Sequence, residues 1–425
     1  MRINTLELTN VRGFTHAKLE FQPGFNLIVG INGVGKTTVL ESLRVALSQI
    51  LPDATISKNK KESLDYYDIQ IGKDSLQIDT NFSIGEDSYS FVSSKQKNTT
   101  KVVETENIRA QTYDVQDYNE IKPSLPKKSK EDVEQPLGIY YSSHRSLMNE
   151  AAPSKSQTSG GQLVAFSEAL NSKREFSIRL FAEWFNTRER LADENPIYKD
   201  YTDRIREAIY TFLPGFSNLK VIRGDRYENL TFSIVKDKKT LSFQQLSDGE
   251  RSILALVFDI ARRLTIANPF LTNPLKGYGV VLIDELDLHL HPKWQRSVVS
   301  DLERTFPNCQ FIATTHSPQI IGEVKAEAIT IIDRNHESEV YKPNVAFGLD
   351  AQRIIEELLE SPIRNVNTLK EFEKINNHVD AEKYREAKES IEKLKMILGE
   401  NDPELIRINS MIQFLEEDFD DEENS

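Results

Sequence analysis

The chain has 425 residues, 38% of them hydrophobic and 28% charged, enough for one large α/β core with insertions or for two or three domains of ordinary size. A net charge of −13 excludes a broadly basic surface, so any contact with DNA must run through a local basic patch or a partner. No apolar run approaches the roughly 18 residues of a bilayer span, Met1-Arg2-Ile3-Asn4 carries no signal-peptide pattern, and a single cysteine, Cys309, forbids an internal disulfide. These features lead to the expectation of a cytoplasmic protein with no membrane association.

Residues 1–29 alternate in strand fashion through Ile3, Leu6 and Leu8, then Lys18–Phe21, and turn at Pro23-Gly24, which predicts a small antiparallel lead-in. Phe25–Val29 is a short apolar strand, and Val39–Leu47 reads as an amphipathic helix. Between them lies Gly30-Ile31-Asn32-Gly33-Val34-Gly35-Lys36-Thr37, which fits the phosphate-binding pattern G-x-x-x-x-G-K-[ST]. Its glycines let backbone N–H groups turn inward around a polyphosphate at a helix N-terminus, where the helix dipole already favours anions. Lys36 is placed to reach the β- and γ-phosphates, and the Thr37 hydroxyl to ligate Mg²⁺.

Ile69–Gly72, Leu76–Asp79 and Ser88–Val92 predict meander strands, and the polar stretch from about 93 to 135 a long loop. Leu137–Tyr141 is a buried strand. Its polar exit, Ser142-Ser143-His144-Arg145, either looks into the nucleotide site or is an ordinary strand-to-loop turn. From about 160 to 213 the pattern is helical, ending at Pro214-Gly215, and Leu219–Ile222 and Leu230–Val235 are two further strands.

A second cluster of chemistry follows. Leu246-Ser247-Asp248-Gly249-Glu250 precedes an apolar helix; alone it also fits a helix start in which Ser247 caps and Glu250 closes a capping box. Val280–Ile283 is an apolar strand ending in Asp284 and Glu285. Asp284 is thereby set beside the glycine loop as a direct or second-sphere Mg²⁺ ligand, and Glu285 where it polarises an attacking water. Gln310–Ser317 is another buried strand, ending in a polar run that contains His316.

Order and spacing together resemble the ABC-type ATPase head. Gly30–Thr37 matches its Walker A motif, Leu246–Glu250 its signature, Ile283-Asp284-Glu285 its Walker B motif, Leu286-Asp287 its D-loop and His316 its switch histidine. The resemblance covers residues 1–50 and 240–335 well and the region between them loosely. Asn10-Val11-Arg12-Gly13-Phe14 and Asp284–Pro292 are similar to the DNA-linked branch that holds RecF, SMC and the overcoming-lysogenization-defect nucleases, and most of all to PtuA-like ATPases of Septu and retron anti-phage systems. Asp248 stands where the common signature has a glycine, Gln135 is only a candidate for the Q-loop, and His289 and His291 match a motif whose histidines are structural.

The resemblance implies an α/β fold, an ABC-type P-loop ATPase head with a short helical insertion and a C-terminal helical extension. The implied division is lobe I with Walker A and a β-meander at 1–145, a helical insertion at 146–215, lobe II with signature, Walker B and switch histidine at 216–345, and a helical extension with an acidic tail at 346–425. It implies ATP and Mg²⁺ as cofactors. Nucleotide contacts are implied for Gly30, Asn32, Gly33, Gly35, Lys36, Thr37 and Thr38, with Arg12 beside them and Ser247 and Gly249 reaching in from the facing subunit of a homodimer closed by ATP. Catalysis is implied for Glu285, His316 and Lys36, and metal binding for Thr37 and Asp284.

After residue 345 the chain reads as helical and charged: one helix over Asp350–Leu359, a break near Pro362, then a helical hairpin over Ala381–Leu398 and Asp402–Phe414 with Gly399 at the turn. The hairpin's stripe of Tyr384, Ile391, Leu394 and Leu398 either docks a partner or buries within its own lobe. The tail Glu416–Glu423 is acidic and expected to be disordered. This region leaves no room for a Toprim nuclease, so the resemblance assigns cutting to a separate HNH nuclease partner, with DNA met directly or through it. The functional expectation is an ATPase that controls a DNA-directed effector in phage defence. A nucleotide-sensing scaffold with little turnover and a RecF-like repair ATPase are the alternatives.

Overall fold

The computed structural model describes residues 1–105, 108–125, 133–143, 147–148, 161–174, 176–194, 196–223, 230–334, 336, 339–359 and 361–423. The N-terminal alternation folds as antiparallel β1 (Arg2–Val11) and β2 (Phe14–Glu20), and the apolar run after the turn as β3 (Phe25–Val29). Helix α1 (Lys36–Ala54) starts inside the glycine loop and is buried along most of its length. Ile69–Gly72 is not a strand. Asp65 and Asp68 form a capping box around a 3₁₀ turn at Tyr66–Asp68, which leaves Ile69 only an isolated bridge to Val11.

The predicted loop from 93 onward is corrected in the same region. After β4 (Ser75–Ile84), strand β5 (Asp87–Thr105) pairs with β6 (Ile108–Lys122) from Ser90↔Lys122 to Thr105↔Ile108. Strand β4 accompanies β5 only to Gln96. Beyond it the hairpin is a two-stranded ribbon held by its own backbone ladder, and among the described residues no further strand demands the apolar alternation by which strands are read.

Strand β7 (Leu137–Tyr141) is followed by the short parallel pair β8 (Leu147–Met148) and β9 (Phe176–Ser177). Helices α2 (Ile178–Leu191) and α3 (Pro196–Phe212) come next, then β10 (Phe216–Arg223), β11 (Leu230–Lys236) and β12 (Lys239–Ser242). The long helix α4 (Asp248–Ala267) leads to β13 (Gly279–Ile283). Helices α5 (Pro292–Gln295) and α6 (Val298–Thr305) bring the chain to β14 (Cys309–Thr314). The unit closes with α7 (Pro318–Ile321), β15 (Ile329–Ile332), β16 (Val340–Tyr341) and α8 (Ala351–Arg353). The predicted helix 350–359 is α-helical only at α8 and continues in π-type turns over Ile354–Leu358.

Two sheets position everything that follows. One is antiparallel, in the order β2-β1-β4-β5-β6; the other runs β16-β15-β3-β14-β13-β7, with β15, β3, β14, β13 and β7 parallel. Strands β3, β7, β13 and β14 are buried at every residue, as parallel strands covered on both faces must be. One apolar core joins Leu6, Leu8 and Phe82 of the antiparallel sheet, Leu40, Leu43 and Leu47 of α1, and Val280, Leu282 and Ile312 of the parallel sheet. The parallel order puts the ends of β3, β7, β13 and β14 on a single edge, where ligands bind in open α/β sheets.

Residues 1–354 form this first compact unit, and 355–425 form a second. The second holds α9 (Val366–Asp380), a helix the sequence did not announce, with α10 (Tyr384–Leu398) and α11 (Pro403–Glu423). Gly399, at φ 89°, ends α10. Arg364 makes a two-pronged contact with Asp402 at 2.8 and 3.1 Å and lies 4.9 Å over the Phe372 ring. Ile391 and Leu394 are buried with Phe372, Ile375, Leu405 and Ile408, and Tyr384 and Leu398 pack against them. The stripe is therefore consumed by the unit's own core. Helix α11 runs on through the acidic stretch to Glu423. Among the described residues no helix is long and apolar enough to cross a membrane.

Candidate functional site

The glycine loop leaves β3 at Gly30 and enters α1 at Lys36. Gly35 has φ 121°, outside the range of ordinary side chains, and a Cβ there would stand 2.6 Å from the Phe14 ring. Asn32 and Gly33 are exposed at the loop tip. Lys36 folds back across the loop, and its Nζ donates to the carbonyls of Gly30 (2.9 Å) and Ile31 (3.0 Å). Burial pushes the Lys36 ammonium down to about 8, although the carboxylates of Asp284, Glu285 and Asp287 pull it upward.

The Walker B strand and its neighbour supply the opposite wall. Asp284, buried at the end of β13, accepts from the Thr37 hydroxyl at 3.1 Å and from the Thr314 hydroxyl at 2.7 Å. Glu285 follows at φ 50°, a left-handed conformation that costs a non-glycine residue about 1–2 kcal/mol. Its N–H donates to Thr314 Oγ1 at 2.7 Å. Asp287 accepts from the Thr315 hydroxyl and from the His316 N–H at 3.3 Å, tying the turn after β13 to the end of β14. His316 is held below its ordinary value, first by burial and then by the charge of Lys36, although Asp287, Glu285 and Asp284 pull it upward.

Arg12 stands beside this cluster. In the left-handed region at φ 49°, it pairs with Asp68 at 2.7 Å and directs Nη1 toward Thr38 Oγ1 at 3.4 Å. Arg334, beyond β15, donates to the Val34 carbonyl at 3.3 Å.

The signature residues are held elsewhere. Ser247 caps α4, with Glu250 completing the capping box, so the structural reading of this motif holds in the chain itself. Burial alone would raise the Glu250 carboxyl, but Lys236 and the N–H and hydroxyl of Ser247 hold it below its ordinary value. Gly249 packs onto the next motif, because a Cβ there would stand 2.5 Å from the His289 carbonyl oxygen. Asp248 is exposed and pairs with Arg251. His291 caps α5, its Nδ1 accepting from the Lys293 N–H at 3.2 Å.

The structure thus gathers Lys36, Thr37, Asp284, Glu285 and His316 at one sheet edge, with Arg12 and Thr38 at its flank. The contacts of Ser247 and Gly249 lie within their own helix start and with the His289 turn. Gln135 is at the opposite, N-terminal end of β7, where its amide oxygen accepts from the Ile56 N–H at 3.2 Å, so the Q-loop reading of that residue is not supported. Ser142 and Ser143 leave β7 on the site edge, and His144 and Arg145 lie outside the described residues. Thr314 and Asp68 belong to the site's scaffold and carry no motif; only their place at a strand end or beside the Arg12 turn could have marked them.

A phosphate loop and an acidic strand end at one edge of a parallel sheet, with His316 just beyond the strand between them, make this an ABC-type P-loop ATPase head. Residues 25–322 match the family described as "AAA domain, putative AbiEii toxin, Type IV TA system". The chain belongs to that family and is an ATPase. It is similar to the Retron Ec83 probable ATPase of Escherichia coli, 27% identical over an alignment covering 99% of this chain and 88% of that one. To the Retron Vc95 probable ATPase of Vibrio cholerae it is 31% identical, over 85% of this chain and 80% of that one. To the Septu protein PtuA of Bacillus thuringiensis it is 24% identical, over 94% and 95%.

Proposed function

We propose that the chain is a cytoplasmic ATPase of anti-phage defence that binds ATP at the shared edge of β3, β13 and β14, dimerises around it, and regulates a DNA-directed partner, an HNH nuclease. The convergence of Lys36, Thr37, Asp284, Glu285 and His316 on one edge is the observation that carries this reading. Lys36 exchanges the Gly30 and Ile31 carbonyls for β- and γ-phosphate oxygens. The Thr37 hydroxyl and Asp284 carboxylate, 3.1 Å apart, are hard oxygen donors of the kind Mg²⁺ prefers and would hold it. When bound, Mg²⁺ supplies positive charge to the phosphate oxygens. Glu285 orients and polarises the attacking water, and His316 meets the γ-phosphate side as a hydrogen-bonding group.

In this reading Ser247, Gly249 and the start of α4 serve the ATP bound by the facing subunit, where a helix N-terminus suits an anion. Arg251 beside Asp248 offsets the carboxylate that this signature carries in place of glycine. The retron and Septu relatives support the defence setting, and the nuclease partner follows from the resemblance to the Septu branch.

Lys36 provides the first test. Charge-assisted bonds are worth about 1.5–3 kcal/mol each, so Lys36→Ala should weaken ATP binding at least about tenfold with the fold intact. Because Lys36 titrates near 8, affinity should be level below that pH and fall as the pH rises past it, and binding near pH 8–9 should take up a proton. Calorimetry in two buffers of different ionisation enthalpy reads both effects. An unchanged isotherm in Lys36→Ala overturns the assignment.

The helical unit is expected to serve assembly or partner recruitment and not nucleotide binding, since it has a core of its own. A chain ending at Leu359 should bind ATP within about twofold of the full chain while losing higher assembly or nuclease recruitment in size-exclusion light scattering. An insoluble or non-binding truncation would place these helices in the head's own core.

A further inference from the structure

Where the ladder between β13 and β14 stops, at Ile283↔Ala313, a side chain takes over the connection. Thr314 is fully buried, and its hydroxyl faces the turn that carries both acidic residues. Oγ1 donates to Asp284 Oδ1 at 2.7 Å and accepts the Glu285 N–H at 2.7 Å, while the Thr314 carbonyl accepts the Leu286 N–H at 2.8 Å. A hydroxyl has one hydrogen and two lone pairs, so giving the hydrogen to the carboxylate leaves a lone pair for the amide and fixes the direction of both bonds. Asp284 is also anchored through its backbone, its N–H donating to the Tyr141 carbonyl at 2.8 Å. The left-handed turn at Glu285 is thus gripped at consecutive N–H groups by one residue of the neighbouring strand.

We propose that Thr314 is a positioning residue of the hydrolytic site, setting the Asp284 carboxylate and the Glu285 backbone in one register through a single hydroxyl. The proposal rests on the ATPase reading above. Asp284 stands on the metal side of the reaction and Glu285 on the water side, so a shift between them misaligns the water relative to the phosphate without removing either group. Outer-shell partners of this kind are worth about 10- to 100-fold in metal affinity or activity.

Two substitutions separate the hydroxyl from the packing. Thr314→Val keeps the volume and loses the hydroxyl; Thr314→Ser keeps the hydroxyl and loses the methyl. Thr314→Val should lower kcat about 10- to 100-fold and raise the Mg²⁺ midpoint of ATP binding about tenfold, read with a fluorescent ATP analogue, with affinity in the absence of Mg²⁺ unchanged. Thr314→Ser should restore both. Should the valine variant fail to fold, Thr314→Ala takes its place in the same comparison. Wild-type kcat and Mg²⁺ midpoint in Thr314→Val overturn the proposal, and so does a serine variant as impaired as valine, which would make the residue a packing element. Failure of the underlying reading looks different: the wild-type protein binds no ATP, or Lys36→Ala binds it normally.

Discussion

Glu285→Gln is expected to cut ATP turnover by about a hundredfold or more while ATP binding and the ATP-closed dimer persist. Glutamine keeps the size of the side chain and much of its hydrogen bonding, but it lacks the negative charge that the proposed mechanism uses to orient water and draw off its proton. The backbone that presents residue 285 is fixed independently of its side chain, by the Thr314 hydroxyl on its N–H and by the Leu286 N–H donating to the Thr314 carbonyl. The substitution therefore alters the chemistry and leaves the turn in place. Phosphate release should collapse, nucleotide affinity should stay within about threefold, and light scattering with ATP should report a longer-lived dimer. Turnover equal to the wild type would remove Glu285 from the mechanism and favour a nucleotide-sensing scaffold.

The parts of the site legible in the sequence are those whose chemistry is written in residue type at fixed local spacing. Gly30–Thr37 had to be a loop between a strand and a helix, and Asp284-Glu285 had to end a buried strand, because neither pattern works in another setting. Thr314 could not be read this way. A threonine at the end of an apolar strand is ordinary, and its role comes from the register of β14 against β13. Arg12 was legible through the resemblance that Asn10–Phe14 carries, but its partner Asp68 lies 56 positions away and is brought there by the capping box at Asp65.

The fold was less legible where stability comes from backbone pairing and not from an apolar face. The polar stretch after residue 93 lacks alternation, yet its backbone groups pair across β5 and β6. Helix α9 shows the converse: Phe372, Ile375 and Val379 are spaced as a buried helical face, but among so many charged residues the face is marked by only three side chains. The hairpin stripe was visible, whereas the partner that covers it was not, since α9 and α11 decide that question through packing across the unit.

Mixing Lys36→Ala protein with Ser247→Arg protein should restore activity that neither has alone. The signature helix begins with a cap closed by Ser247 and Glu250, and Gly249 is pressed against the His289 carbonyl, so in this chain the helix start is engaged with its own turn and not with Lys36 or Thr37. If it serves ATP, the ATP is held by a second copy. In a mixed dimer the intact glycine loop of the Ser247→Arg subunit meets the intact signature of the Lys36→Ala subunit, while the other site carries both defects. Random pairing makes about half the dimers mixed, and one of two sites works in each, so an equal mixture should reach about a quarter of wild-type turnover. Ser247→Arg also removes a helix cap worth roughly 1 kcal/mol; a thermal melt of that variant alone confirms that α4 has survived. If heterodimers form and turnover stays at the level of the separate variants, the signature does not act across the dimer, and the site must be completed by other residues.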